Sequence, residues 1–192
     1  MSATGGIVTS MNTSELRIRD LAGIIRTTLR ERGDAASIAT RVAGLVRASG
    51  PTPALLTPRQ RQGAPERPTG HLLHAEDGFS MLALVWRPGQ QTRIHDHRCW
   101  CMVYVLQGSE QETRYHDHGG FLTETTTTRN PVGSVSALAP PGDIHRIRND
   151  THHVTISLHV YGIDLRVAGS SARRIYDAPV QPTSEPRPLA SQ

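Results

Sequence analysis

The chain has 192 residues, enough for one domain with a sizeable core and short extra segments. Its formal charge is +4, and all 21 basic residues are arginines that often adjoin acids, as in Arg19-Asp20 and Glu31-Arg32, so the clustered basic stripe of a nucleic-acid binder is missing. No apolar run reaches membrane-spanning length, and residues 1–10 lack the basic-then-apolar order of a secretory signal, so a cytoplasmic protein with no membrane partner is expected.

Residues 1–11 read as a flexible N-terminus. A helix is expected near Asn12–Glu31, where Asn12, Thr13 and Ser14 offer N-caps and Leu16, Leu21, Ile24, Ile25 and Leu29 recur at helical spacing. Gly33-Asp34 ends it. Asp34 can cap a second helix to about Ser49, with Ile38, Val42, Leu45 and Val46 as its apolar stripe. Residues 12–49 thus form a helical N-terminal cover. Residues 50–70, rich in Pro, Gly, Gln and Arg, read as an irregular connection.

From His71 the pattern changes to period two and short apolar runs. Strands are expected at 71–76, 79–87, 92–97, 99–107, 109–115, 121–128, 134–138, 143–148, 154–161 and 163–168. Turn signals such as Asp77-Gly78, Pro88-Gly89, Gly119-Gly120 and Pro140-Pro141-Gly142 separate them. Many short strands at regular spacing predict a mainly β sandwich or barrel over 71–178. Residues 179–192, rich in Pro and Ser, read as a disordered tail.

Ten histidines invite a metal hypothesis, but their placement matters more than their number. His95, His97, Cys99 and Cys101 share one parity in a strand-like stretch and so face one way, with Trp100 and Met102 facing the other. Two imidazoles two residues apart can chelate one ion. His145, aimed by the Pro140-Pro141-Gly142 turn, is the natural third ligand. The alternative is three ordinary hydrogen-bonded barrel histidines. Tyr115-His116-Asp117-His118 is a second H-x-H, but it precedes Gly119-Gly120 and reads as a solvated hairpin end. His152-His153 reads as a loop. Cys99 and Cys101, at i and i+2 of a strand, would sit about 6.5–7 Å apart at Cα, too long for an easy disulfide.

These residues resemble two motifs of the cupin barrel, the double-stranded β-helix or jelly-roll. Gly89, five residues, His95-Asp96-His97, three residues, Cys101, six residues, Gly108 is similar to the first. Gly133, Pro140-x-Gly142, two residues, His145, three residues, Asn149 is similar to the second. Cupins commonly place a metal-binding glutamate where this chain has Cys101. That departure resembles the thiol dioxygenases of the cysteine dioxygenase and 3-mercaptopropionate dioxygenase family. The resemblance implies iron(II), Fe(2+), held by His95, His97 and His145, with open positions for a small-molecule thiol and O2. It also implies a relay of Ser157, His159 and Tyr161 and, in some members, a thioether joining a cysteine at the position of Cys101 to the tyrosine. Cys101 reads equally as a small buried hydrophobe.

The implied reaction is oxidation of the thiol to a sulfinate. Three neutral imidazoles leave the ion its full charge, which favours thiolate over thiol. Relatives bind the substrate carboxylate with an arginine or glutamine near the position of Gly70 or Thr69. Neither can make a bidentate contact, so Arg67, Arg173 and Arg174 are the candidates for it. The small residue leaves room for a bulkier thiol, and 3-mercaptopropionate-, ergothioneine- and cysteine-like substrates stay open. A non-catalytic metal-binding cupin module or a cupin isomerase is the alternative reading. Oligomeric state is not readable from the sequence.

Overall fold

A computed structural model describes residues 13–182. Two helices, α1 (Thr13–Leu29) and α2 (Ala35–Ser49), precede eleven strands among the described residues. The strands are β1 (Thr69–Glu76), β2 (Phe79–Trp86), β3 (Ile94–His97), β4 (Cys101–Gln107), β5 (Ser109–Asp117), β6 (Leu122–Pro131), β7 (Val135–Leu138), β8 (His145–Arg148), β9 (Thr155–Tyr161), β10 (Ala172–Tyr176) and β11 (Val180–Gln181). They form two sheets of the cupin type, one ordered β1-β2-β9-β4-β7 and the other β10-β3-β8-β5-β6-β11. The expected flexible N-terminus lies outside the described residues.

The helices start and stop where their caps dictate. Asp34 accepts from the Ser37 backbone N–H at 2.8 Å, and α2 ends on Gly50 in the left-handed region, with φ of 55°. Ile25 of α1 and Val42 and Val46 of α2 pack on one face of the first sheet, against Met81, Ala83, Val85, Met102, Ile156, Leu158 and Val160. Burying this face removes a continuous apolar surface from water. Strand alternation then turns the next residues of the same strands inward, and those carry the polar groups.

Three expectations need correction. Residues 163–168 do not form a strand. Asp164 caps a one-turn helix, α3 (Leu165–Ala168), by accepting from the Arg166 backbone N–H at 2.9 Å, and Val167 is left 86% exposed. The spacing of Ile163, Leu165 and Val167 mimics period two, but the cap decides the local structure. The stretch expected as 99–107 begins at Cys101, with a turn across 98–100, so Cys99 is not a strand residue. The tail expected from 179 opens with β11, which pairs in parallel with Leu122 and Thr123, and residues 183–192 lie outside the described residues. The irregular connection contains two 3-10 turns, Pro53–Leu55 and Gln60–Gln62, and β1 already begins at Thr69.

Candidate metal centre

His95 and His97 share one face of β3, and His145 opens β8 directly opposite His95 in the register. The three rings crowd together: centroids lie 4.7 Å apart for His95–His145, 4.9 Å for His95–His97 and 5.0 Å for His97–His145. One donor atom of each lies within 4.8 Å of the others, and among the described residues this is the one such group of potential ligands.

Each ring is also held from behind. His95 Nδ1 lies 3.0 Å from the Arg93 carbonyl, His97 Nδ1 2.9 Å from Asp143 Oδ2, and His145 Nδ1 3.1 Å from Glu112 Oε1. An acceptor on Nδ1 fixes the tautomer and leaves Nε2 of each ring as the donor to a shared ion. The residues therefore fit a metal with three imidazole ligands. The carboxylates of Asp143 and Glu112 sit behind the ligands, not among them.

Burial and the neighbouring His145 hold His95 down at about 4, and burial also lowers His145, so both rings stay neutral near pH 7. Burial alone would raise Glu112. Its bond to His145, with Arg114 and Ser136 adding to it, instead takes the carboxyl down to about 2. Asp143 is lowered in the same way, burial being outweighed by its bond to His97. These two carboxylates place negative charge at the site that the ligand spacing alone does not reveal.

The opposite wall is the inner face of the first sheet. Cys101 on β4 sits directly across from Tyr161 on β9, and Val103 across from His159. Tyr161 OH lies 3.2 Å from His159 Nδ1, and His159 Nε2 lies 2.9 Å from Ser157 Oγ. The Trp86 indole N–H donates to that Oγ at 3.0 Å, which extends the relay by one group. The Tyr161 ring centroid is 6.0 Å from that of His97, so the phenol borders the three imidazoles. Burial, with Cys101 adjacent, raises the Tyr161 phenol well above its usual range; burial likewise raises the Cys101 thiol and depresses His159 to about 3. Gly162, just beyond, lies so close to Trp100 that an added Cβ would meet its indole at 2.2 Å.

A model of the family described as cysteine dioxygenase type I matches residues 61–167, more than half of the chain. The chain belongs to this family. Among solved structures, a Thermus thermophilus protein is 22% identical, with 55% of this chain and 91% of that chain covered at a TM-score of 0.44. A Klebsiella pneumoniae protein with a double-stranded β-helix domain is 17% identical, covering 55% of this chain and 80% of that chain at a TM-score of 0.46. A cupin superfamily protein from Desulfitobacterium hafniense is 16% identical, covering 58% of this chain and 86% of that chain at a TM-score of 0.43.

Membership in the cysteine dioxygenase family makes the place of the substrate-contact candidates informative. Arg173 is ion-paired to the buried Asp96 between the two β3 ligands, and Tyr176 donates to the same carboxylate at 3.0 Å. Arg174 reaches Asp117 at 3.3 Å and stacks 4.4 Å above the Tyr176 ring. Arg67 is exposed outside the strands. Gly70 lies on the same face of its sheet as Leu72, Leu82 and Leu84, the last two of which pair with His159 and Ser157. The structure thus joins the three histidines, Cys101 and the Tyr161 relay into one inner layer, and does not bring Arg67, Arg173 or Arg174 into it. The residues that sequence reasoning misses are Glu112, Asp143 and Glu110. Only Asp143, two residues before His145, gave a local signal. No helix of the described residues is long and apolar enough to cross a membrane.

Proposed function

We propose that this chain is an iron(II) thiol dioxygenase that adds both atoms of O2 to the sulfur of a small thiol and yields a sulfinate. The observation that carries this reading is the trio of Nδ1-anchored imidazoles facing the Cys101–Tyr161 pair, with no carboxylate among the ligands. Iron(II) would be held by His95, His97 and His145, where it supplies binding of the thiolate and of O2 on one centre. The chain's own residues do the rest. Glu112 and Asp143 orient two of the ligands, and their charges offset that of the ion. Tyr161, neutral in its buried site, offers a phenol O–H to the substrate or to oxygen. His159 positions that phenol, and the apolar surroundings limit stray water. The register that sets Cys101 across from Tyr161 suits a thioether between them, which would fix the phenol further.

Leu72, Leu82 and Leu84 line the face around Gly70, and Leu72 is 46% exposed. Arg173 and Arg174 are each engaged with a carboxylate of this chain, which disfavours a tight carboxylate clamp from them. 3-Mercaptopropionate, ergothioneine and cysteine all carry a carboxylate, so all three stand as candidate substrates. The test is oxygen uptake by the iron-loaded protein with 3-mercaptopropionate, ergothioneine, mercaptosuccinate and cysteine, with sulfinate identified by mass. Uptake with at least one thiol is expected, and His97→Ala should lose both bound iron and uptake. No uptake with any of them would favour a metal-binding module or an isomerase.

A further inference from the structure

Glu110 is completely buried at the deep end of the relay, and neither of its carboxyl oxygens has a hydrogen-bond partner. Such a group is costly unless it has a use. It sits on the inner face of β5, two residues before Glu112. The Ser157 hydroxyl and the Trp86 indole are close enough to favour its charged form. We propose that Glu110 is a positioning residue that sets the direction of every hydrogen bond in the Ser157–His159–Tyr161 relay.

Tyr161 and Ser157 each carry one O–H, and neutral His159 carries one N–H, so each donates once. Trp86 can only donate, and it donates to Ser157 Oγ. When Glu110 is ionised, it can only accept. A small rotation of its carboxyl brings it onto the Ser157 hydroxyl, which donates to it. Ser157 Oγ then accepts from His159 Nε2–H, and His159 Nδ1 accepts from Tyr161. The phenol proton points away from the three ligands. When Glu110 is protonated, it donates to Ser157 Oγ, and Ser157 donates to His159 Nε2. His159 then carries its proton on Nδ1 and donates to the Tyr161 oxygen. The phenol proton is then free of His159 and available to the Ser171 hydroxyl or to a group bound at the three ligands. The one proton that Glu110 gains or loses is exchanged with solvent; Ser157, His159 and Tyr161 keep one each, and the direction of their bonds reverses.

Burial is what brings the switch near neutrality, since it raises Glu110 to about 7. Glu112, on β5 itself, raises it as well. From β9, β2 and β4 the facing groups are Ser157, with His159 and Tyr161 behind it, Trp86 and Cys101; Asn130, its β6 register partner, is uncharged. His159, held at about 3, stays neutral throughout and serves only as a relay.

The functional consequence rests on the reading of Tyr161 as the group that meets the reacting atoms, whereas the arrangement itself does not. The test therefore reads tautomers, not turnover. Full-length protein loaded with diamagnetic zinc(II) would carry 15N-histidine and 13C-carboxyl glutamate. The His159 proton should move from Nδ1 to Nε2 between pH 6 and 8, with the same midpoint as the Glu110 carboxyl. Glu110→Gln, nearly isosteric and never charged, should keep the Nδ1 tautomer at every pH. A wild-type His159 with one tautomer across that range, different midpoints for the two groups, or a swap that persists in Glu110→Gln would overturn the proposal. The wild-type arm decides even if the variant does not fold, and its failure would leave the dioxygenase reading standing.

Discussion

Glu110 and Glu112 leave the same face of one strand, two residues apart, and both are almost inaccessible to water. Glu112 accepts from His145 Nδ1 and from the Ser136 hydroxyl at 2.8 Å, with the Arg114 guanidinium 3.3 Å away, and its carboxyl is held at about 2. Glu110 has no bonded partner, and burial lifts it to about 7. Burial is therefore the same for both, and the partners decide the charge. One carboxylate serves as a fixed anion behind a metal ligand. The other is left free to change state beside a chain of single-proton groups.

The largest way to break the pair is to neutralise the fixed member. Glu112→Gln keeps the shape but removes the anion that holds the His145 tautomer, and partners of this kind are worth about 10–100-fold in metal affinity. We expect iron or zinc affinity to fall by that order, measured by competition with a chromophoric chelator. Glu110→Gln touches no ligand and should leave metal affinity within about twofold. Equal losses in the two variants would show that the strand, and not the partners, governs the site.

Stability against pH sharpens the contrast, because the two groups act with opposite sign. Glu110 is raised in the folded state, so its contribution is complete below pH 4.5 and is lost as pH rises through about 7. Glu112 is lowered, so its contribution is present above pH 4.5 and is lost as pH falls toward about 2. Going from pH 5 to pH 8, Glu110→Gln should gain on the wild type by on the order of 2–3 kcal/mol, at about 1.4 kcal/mol per pKa unit. Urea unfolding of the metal-free proteins at both pH values measures this, and the depressed histidines cancel because both proteins contain them. A difference that does not change with pH would mean that Glu110 is already paired in the folded protein.

This contrast also marks the boundary of what the sequence could say. The ligands and the Tyr161 relay were legible because each set repeats every second residue within one strand, where the backbone forces a common face. His145 needed only the turn in front of it. Glu110 and Glu112 carry the same period-two signal, but Ser-Glu-Gln-Glu-Thr reads as the solvated face of an edge strand. Their inward direction is set by the neighbouring strand β8 and by β9 of the facing sheet, contacts that no local pattern contains. Asp96 stands between two ligands but faces the other way, where Arg173 and Tyr176 of β10 cover it. Val180 and Gln181 pair with β6 through backbone bonds alone, so their composition gave no hint of a strand.

The smallest effect is expected one step further out, at Trp86. Replacing it with Phe keeps an aromatic ring but removes the N–H that reaches Ser157 and part of the indole bulk from a fully buried site. The lost bond should cost about 1 kcal/mol, since Ser157 retains its other partner, and the smaller ring adds a packing loss of its own. Metal affinity should not change, because Trp86 meets neither a ligand nor Glu112. The indole favours the charged form of Glu110, so its removal should move the Glu110 midpoint upward, and the His159 tautomer midpoint with it. A change in stability alone, with the tautomer midpoint unmoved, would make Trp86 a packing residue and would separate it from the relay. A shift of both midpoints together would show that Ser157 is the junction through which Trp86 and Glu110 act on His159 and Tyr161.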